Sequence, residues 1–120
     1  MSGRLAPGAV AEASTIPLAL HPVADDQVVE GAPFTGFAVL DAGDGTEIGV
    51  WEMTAGAMRD VEADEVFVVL SGDATIDFVS VPGMPAPPAI ELRPGSVARL
   101  SAGMETIWTV RATLRKVYVA

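Results

Sequence analysis

Residues 49–72 read GVWEMTAGAMRDVEADEVFVVLSG, a strand, a polar turn and a second strand closed by Ser71-Gly72-Asp73. Glu65 opens the second strand. Side chains alternate with period two, so Phe67 and Val69 share one face while Val66, Val68 and Leu70 take the other. A strand that is apolar on both faces must be covered on both, which predicts an interior sheet strand. The carboxylate of Glu65 stands at its mouth, where a pocket can begin.

Outward from this stretch, turn formers divide the chain into short extended pieces. Toward the N-terminus, residues 46–54 read as a strand, with Ile48 and Val50 on one face and Trp51 and Met53 on the other. Asp41-Ala42-Gly43-Asp44-Gly45 predicts a hairpin joining it to a strand over 34–40. Residues 15–23 form an edge segment, because Pro17 and Pro22 cannot donate to a ladder. Residues 1–14 are small and read as a flexible N-terminal arm. Residues 55–64 read as a loop bearing Asp60, Glu62 and Asp64. Residues 65–70 and 73–80 read as a hairpin across Ser71-Gly72, and 81–88 as a surface loop. Strands over 89–92 and 97–100 flank Arg93-Pro94-Gly95-Ser96, and strands over 104–110 and 113–119 close the chain. No stretch shows sustained helical periodicity. Short strands at regular spacing predict an all-β sandwich or barrel of the jelly-roll kind, one domain over residues 15–120.

Composition narrows the function classes. Lys and Arg total 7 against 16 Asp and Glu, a formal net charge of -9. Such a chain is repelled by phosphates, which argues against nucleic acid and anionic membrane surfaces. With Cys 0, disulfides, thiolate metal sites and cysteine nucleophiles are excluded together. A cytoplasmic location fits that composition. The N-terminus lacks the hydrophobic region of a signal peptide.

Three pieces in order resemble a small cupin: Glu65 followed seven residues later by Gly72 in DEVFVVLSG; the turn Arg93-Pro94-Gly95-Ser96; and the ending ETIWTVRATLRKVYVA, with a Trp ahead of Arg-Lys-x-Tyr. The last is similar to the single-domain group that includes ureidoglycine aminohydrolase-like and ethanolamine-utilisation Q-like domains. The resemblance spans about residues 34–120. It implies a double-stranded β-helix and, commonly, a homodimer. Metal-binding cupins carry His-x-His upstream of the glutamate and a third His in the second motif. Here the first pair falls on Met58 and Asp60 or on Arg59 and Val61, and the third falls on Thr106. Only Glu65 remains of that ligand set, so no transition metal and no other cofactor is expected.

Glu65 is the candidate catalytic group, a general acid/base whose pKa an apolar lining would raise. The alternative is a carboxylate solvated at a strand end or paired with Arg59 or Arg99. Thr106 and Trp108 share a strand face and are candidate ligand-binding residues, one offering a hydroxyl and the other a stacking wall with an N–H donor. Arg59, Asp60 and Trp51 complete the candidate ligand-binding set. Either Lys116 with Tyr118 or Arg115 with Val117 faces the cavity. His21, the single histidine, is remote in sequence from every carboxylate candidate and makes a poor metal site. Three function classes follow: binding of a small polar metabolite in the barrel, small-molecule catalysis through Glu65, and a dimeric accessory subunit.

Overall fold

The computed structural model describes residues 3–120, which fold into nine strands and no helix. The strands are β1 (His21–Pro22), β2 (Val28–Glu30), β3 (Phe34–Gly43), β4 (Thr46–Met53), β5 (Gly56–Val61), β6 (Glu65–Ser80), β7 (Ile90–Leu92), β8 (Val97–Leu100) and β9 (Glu105–Val119). No helix among the described residues is long and apolar enough to cross a membrane.

The registers resolve these strands into two layers. The second half of β9 pairs with β4 from Met53↔Leu114 to Ile48↔Val119, and also with the first half of β6. The first half of β9 pairs with β5 from Val61↔Glu105 to Gly56↔Val110, and also with the second half of β6. One layer therefore runs β1–β3–β4–β9–β6–β8 and the other β2–β5–β9–β6–β7, with β6 and β9 continuing through both. This is the all-β jelly roll expected from the turn spacing. Its core lies between the layers, where Met53, Phe67, Ile76, Leu100, Trp108 and Leu114 are almost wholly buried.

Three local expectations change. The hairpin expected across Ser71-Gly72 is a bend within the single strand β6. Gly72 has φ 105°, and a Cβ there would overlap the Thr113 carbonyl and the Leu114 Cα. Glycine thus lets β6 and β9 cross at closest approach while both change layer. The two closing strands are likewise one, β9. Residues 55–64, read as a loop, contain β5. The Asp41–Gly45 hairpin is as expected: Gly43 pairs with Thr46 around Asp44 and Gly45, both at positive φ, the two-residue turn that matches strand twist.

Residues 3–20 lie on the outer face of the first layer without helix or strand. Arg4 pairs with Asp44 at 2.6 Å, and the Arg115 guanidinium donates to the carbonyls of Ala13 at 3.0 Å and Ile16 at 2.8 Å. Val50, on that face, is fully buried. Val66, Val68 and Leu70, expected to be covered, are only half-buried.

Candidate functional site

The strand alternation aims one set of side chains between the layers. In β9 that set is Thr106 and Trp108, then Lys116 and Tyr118, which settles the phase left open by the sequence; Arg115 faces outward and pairs with Glu52 at 2.8 Å. In β4 it is Glu47 and Trp51. Gly49 between them leaves room for the Tyr118 ring, which a Cβ would overlap. β5 contributes Asp60, and Glu62 follows in the same phase. Glu62 is anchored at the strand end by Glu62 N–H donating to Met104 O at 2.9 Å and Gly103 N–H donating to Glu62 O at 2.9 Å. β6 contributes Glu65.

These side chains line a cavity of about 300 Å3. Its centre is Lys116, 5% exposed, whose ammonium donates to Glu65 Oε2 and lies 4.3 Å from the Phe67 ring centroid and 4.8 Å from those of Trp51 and Trp108. The Lys116 side chain is thus engaged by three aromatic faces and one carboxylate. Trp51 and Trp108 pack with centroids 5.3 Å apart, tilted by 57°.

Glu62, 9% exposed, accepts from Thr106 Oγ1 at 2.6 Å and Trp108 Nε1 at 2.9 Å, both on Oε2. Glu47 accepts from the Tyr118 hydroxyl at 2.7 Å. Burial pushes the Tyr118 phenol upward, and the bond to Glu47 adds to it. Asp60 accepts only from the adjacent Val61 N–H, at 2.9 Å. Its carboxyl is pushed up to about 6, first by burial and then by the Glu62 charge, against the lowering effects of the Val61 N–H and Lys116.

Of the residues singled out from sequence, Glu65, Trp108, Trp51 and Asp60 line this cavity, and Thr106 reaches it through Glu62. Arg59 does not. It is exposed on the outer phase of β5 and borders a separate, smaller pocket of about 200 Å3 with Gln27 and Val79, which Asp60 and Thr106 also border. The partner of Glu65 is Lys116 rather than Arg59 or Arg99. His21 pairs with Thr35 in β1 and lies outside the cavity. Sequence reasoning did not assign Glu62 or Glu47 to the site. The signal for Glu62 was its even spacing from Asp60, hidden once the segment was read as loop. A larger groove of about 500 Å3 between β7 and β8 is apolar inside, with Glu91 and Arg99 exposed on it, and gathers no comparable set of charged groups.

The donor set does not suit a transition metal. Glu65 is engaged by Lys116 and Glu62 by two donors, Thr106 is itself a donor, and the Lys116 ammonium beside Glu65 would repel a dication there. Among the described residues no group of three or more His, Cys, Asp or Glu is placed to hold a metal ion.

Comparison with known proteins bears on the fold and the family. Among solved structures the chain is similar to the EutQ protein of Clostridium difficile, at 18% identity and TM-score 0.59, covering 72% of this chain and 67% of that one. It is similar to a protein assigned to ethanolamine utilization (protein Q) from Salmonella typhimurium, at 15% identity and TM-score 0.60, covering 88% and 96%. A protein of unknown function from Pseudomonas syringae matches at 18% identity and TM-score 0.68, covering 87% of this chain but only 44% of that one. At these identities the likenesses establish a shared fold. A search of curated proteins finds no match. The EutQ-like cupin domain family matches residues 40–118, more than half of the sequence. The chain is a cupin-domain protein and belongs to the EutQ-like cupin family.

Proposed function

We propose that the protein binds a small polar metabolite inside the barrel without the help of a transition metal. The observation that carries this reading is the set of buried and half-buried charged groups gathered around Lys116 in one open-mouthed cavity. Buried charges cost free energy unless they are paired, so a cavity holding several is poorly explained as packing alone. Two Trp rings supply the apolar wall typical of small-ligand sites, and a few polar groups fix orientation. A thermal-shift screen of polar metabolites tests it, because a ligand specific for the folded state raises the melting temperature by mass action. A screen in which no compound acts through the cavity, judged by loss of the shift in Glu65→Gln, overturns the reading. Elemental analysis of protein purified without chelator tests the metal clause. Near-stoichiometric zinc, iron, manganese or nickel that survives dialysis and is lost in Glu65→Ala contradicts it.

A second reading is acid–base catalysis on the bound molecule. The observation favouring it is Asp60, whose carboxyl titrates near 6 and which is better suited to proton transfer near neutral pH than Glu65, held by Lys116. Turnover of any hit that disappears in Asp60→Asn while binding persists would support an enzyme over a binder.

A further inference from the structure

We propose that the ligand of this cavity carries an ammonium group, and that Lys116 is the protein's own occupant of part of an amine-binding site. The inference rests on the barrel-binding reading above and names its ligand class. The cavity holds four carboxylates, Glu47, Asp60, Glu62 and Glu65, and one ammonium, Lys116. That single cation is committed to Glu65. Glu47 has only a neutral phenol donor. Glu62, a cavity-lining residue that is about nine-tenths buried, uses one oxygen for both Thr106 and Trp108, and its Oε1 is left to solvent or a ligand, since no buried side-chain oxygen among the described residues lacks a partner. Asp60 has one backbone donor and no cation.

The vacancy in bonding is thus for donors and positive charge, not for acceptors. A carboxylated or phosphorylated ligand would add to the uncompensated negative charge. A neutral polyol would bring donors without relieving the charge. An alkylammonium brings three donors and the missing charge together. The walls suit it as well. Trp51, Trp108 and Phe67 already cage one alkylammonium at 4.3–4.8 Å, that of Lys116. Phe37, 63% exposed, extends the aromatic wall toward solvent on the same side as Trp51, its cross-strand partner.

Three probes on one three-carbon skeleton separate charge from shape: 3-amino-1,2-propanediol as cation, glycerol as neutral, and glycerate as anion. Each is titrated at pH 7.5 and constant ionic strength while the indole N–H resonances of Trp51 and Trp108 are followed by NMR. The aminodiol is expected to shift both signals with a dissociation constant at least roughly tenfold below that of glycerol, with glycerate weakest. Glu62→Gln and, independently, Asp60→Asn should each reduce the preference for the aminodiol over glycerol by roughly tenfold. Asp60→Asn leaves the Thr106 and Trp108 bonds to Glu62 in place, so the test survives if the first variant fails to fold. Lys116→Met removes the resident ammonium and frees Glu65, and should bind the aminodiol several-fold more tightly. Glycerol or glycerate binding as well as the amine, or a preference unchanged in both carboxylate variants, overturns the ammonium assignment while leaving the barrel as a binding site. Silence of both indoles toward all three probes also overturns it, and the metabolite screen then decides the barrel-binding reading separately.

Discussion

Glu62 and Trp108 are joined across the inside of the barrel by a 2.9 Å bond from the indole Nε1 to Oε2, the oxygen that also accepts from the Thr106 hydroxyl. The pair links the end of β5 to β9 in a dry setting, where a charge-assisted bond is stronger and its loss more costly. Thr106→Val keeps the shape and removes one of the two donors. We expect it to cost about 1–2 kcal/mol in urea unfolding, the usual consequence of depriving a buried carboxylate of a donor. An unchanged unfolding midpoint would show that Trp108 alone satisfies Glu62.

Lys116 and Glu65 form a second buried pair. Removing one partner strands a charge, so Lys116→Met should destabilise the fold by about 3 kcal/mol. Removing both should not. In the double variant Lys116→Met/Glu65→Gln most of that loss is recovered, because no uncompensated charge is left. Additive single-variant losses in the double-mutant cycle would contradict the pairing.

Asp60 predicts a pH dependence whose sign follows from its raised value of about 6 against an ordinary 3.8. Below pH 3.8 the carboxyl is protonated in both folded and unfolded chains and carries no penalty. As pH rises toward 6 the unfolded chain loses its proton first, so stability falls, and above 6 the full cost of the buried anion is present. Burial, Glu62, the Val61 N–H, Lys116 and Glu65 all enter this balance. Asp60→Asn should therefore raise stability at pH 7.5 by about 1 kcal/mol, after discounting for solvent screening, and leave it unchanged at pH 3.5. Equal gains at both pH values would assign the effect to packing instead.

The outer face of the first layer predicts self-association. Val97, Val68, Val117 and Val50 stand side by side across four strands. Residues 3–20 run over this face at the Val50 end, while Val97 at the other is 69% exposed. A two-fold contact between copies would cover the bare end. Light scattering at micromolar concentration is expected to give twice the chain mass, and Val68→Glu the single mass. A monomeric wild-type chain would refute it.

Much of the fold was legible because apolar alternation and turn chemistry agree. The phase of Phe67 and Val69 against Val66, Val68 and Leu70 and the Arg93–Ser96 turn stand in the structure as read, and the hairpin read across Asp41–Gly45 is present with its turn narrowed to Asp44–Gly45. The site was legible only in part. β5 carries Arg59 outside and Asp60 inside, so a strand facing a polar cavity shows no apolar alternation and resembles a charged loop. At the end of β9 both candidate phases begin with a cation, Arg115 or Lys116, and only the cross-strand register decides between them. Gly72 reads as a turn because a bend and a reversal ask the same freedom of the backbone.

The passage of β9 through both layers constrains how this sequence can vary over evolutionary time. One continuous strand delivers Thr106 and Trp108 from one wall and Lys116 and Tyr118 from the other, across a bend at 111–113. A single inserted or deleted residue in that bend would leave the first pair in place and rotate the second outward, bringing Arg115 and Val117 into the barrel. Length changes are therefore tolerated in the 81–89 loop, which feeds no side chain into the cavity, and are disallowed at 111–113. Descendants of this chain can readily alter which groups meet inside the barrel by substitution, but not by changing the length of β9.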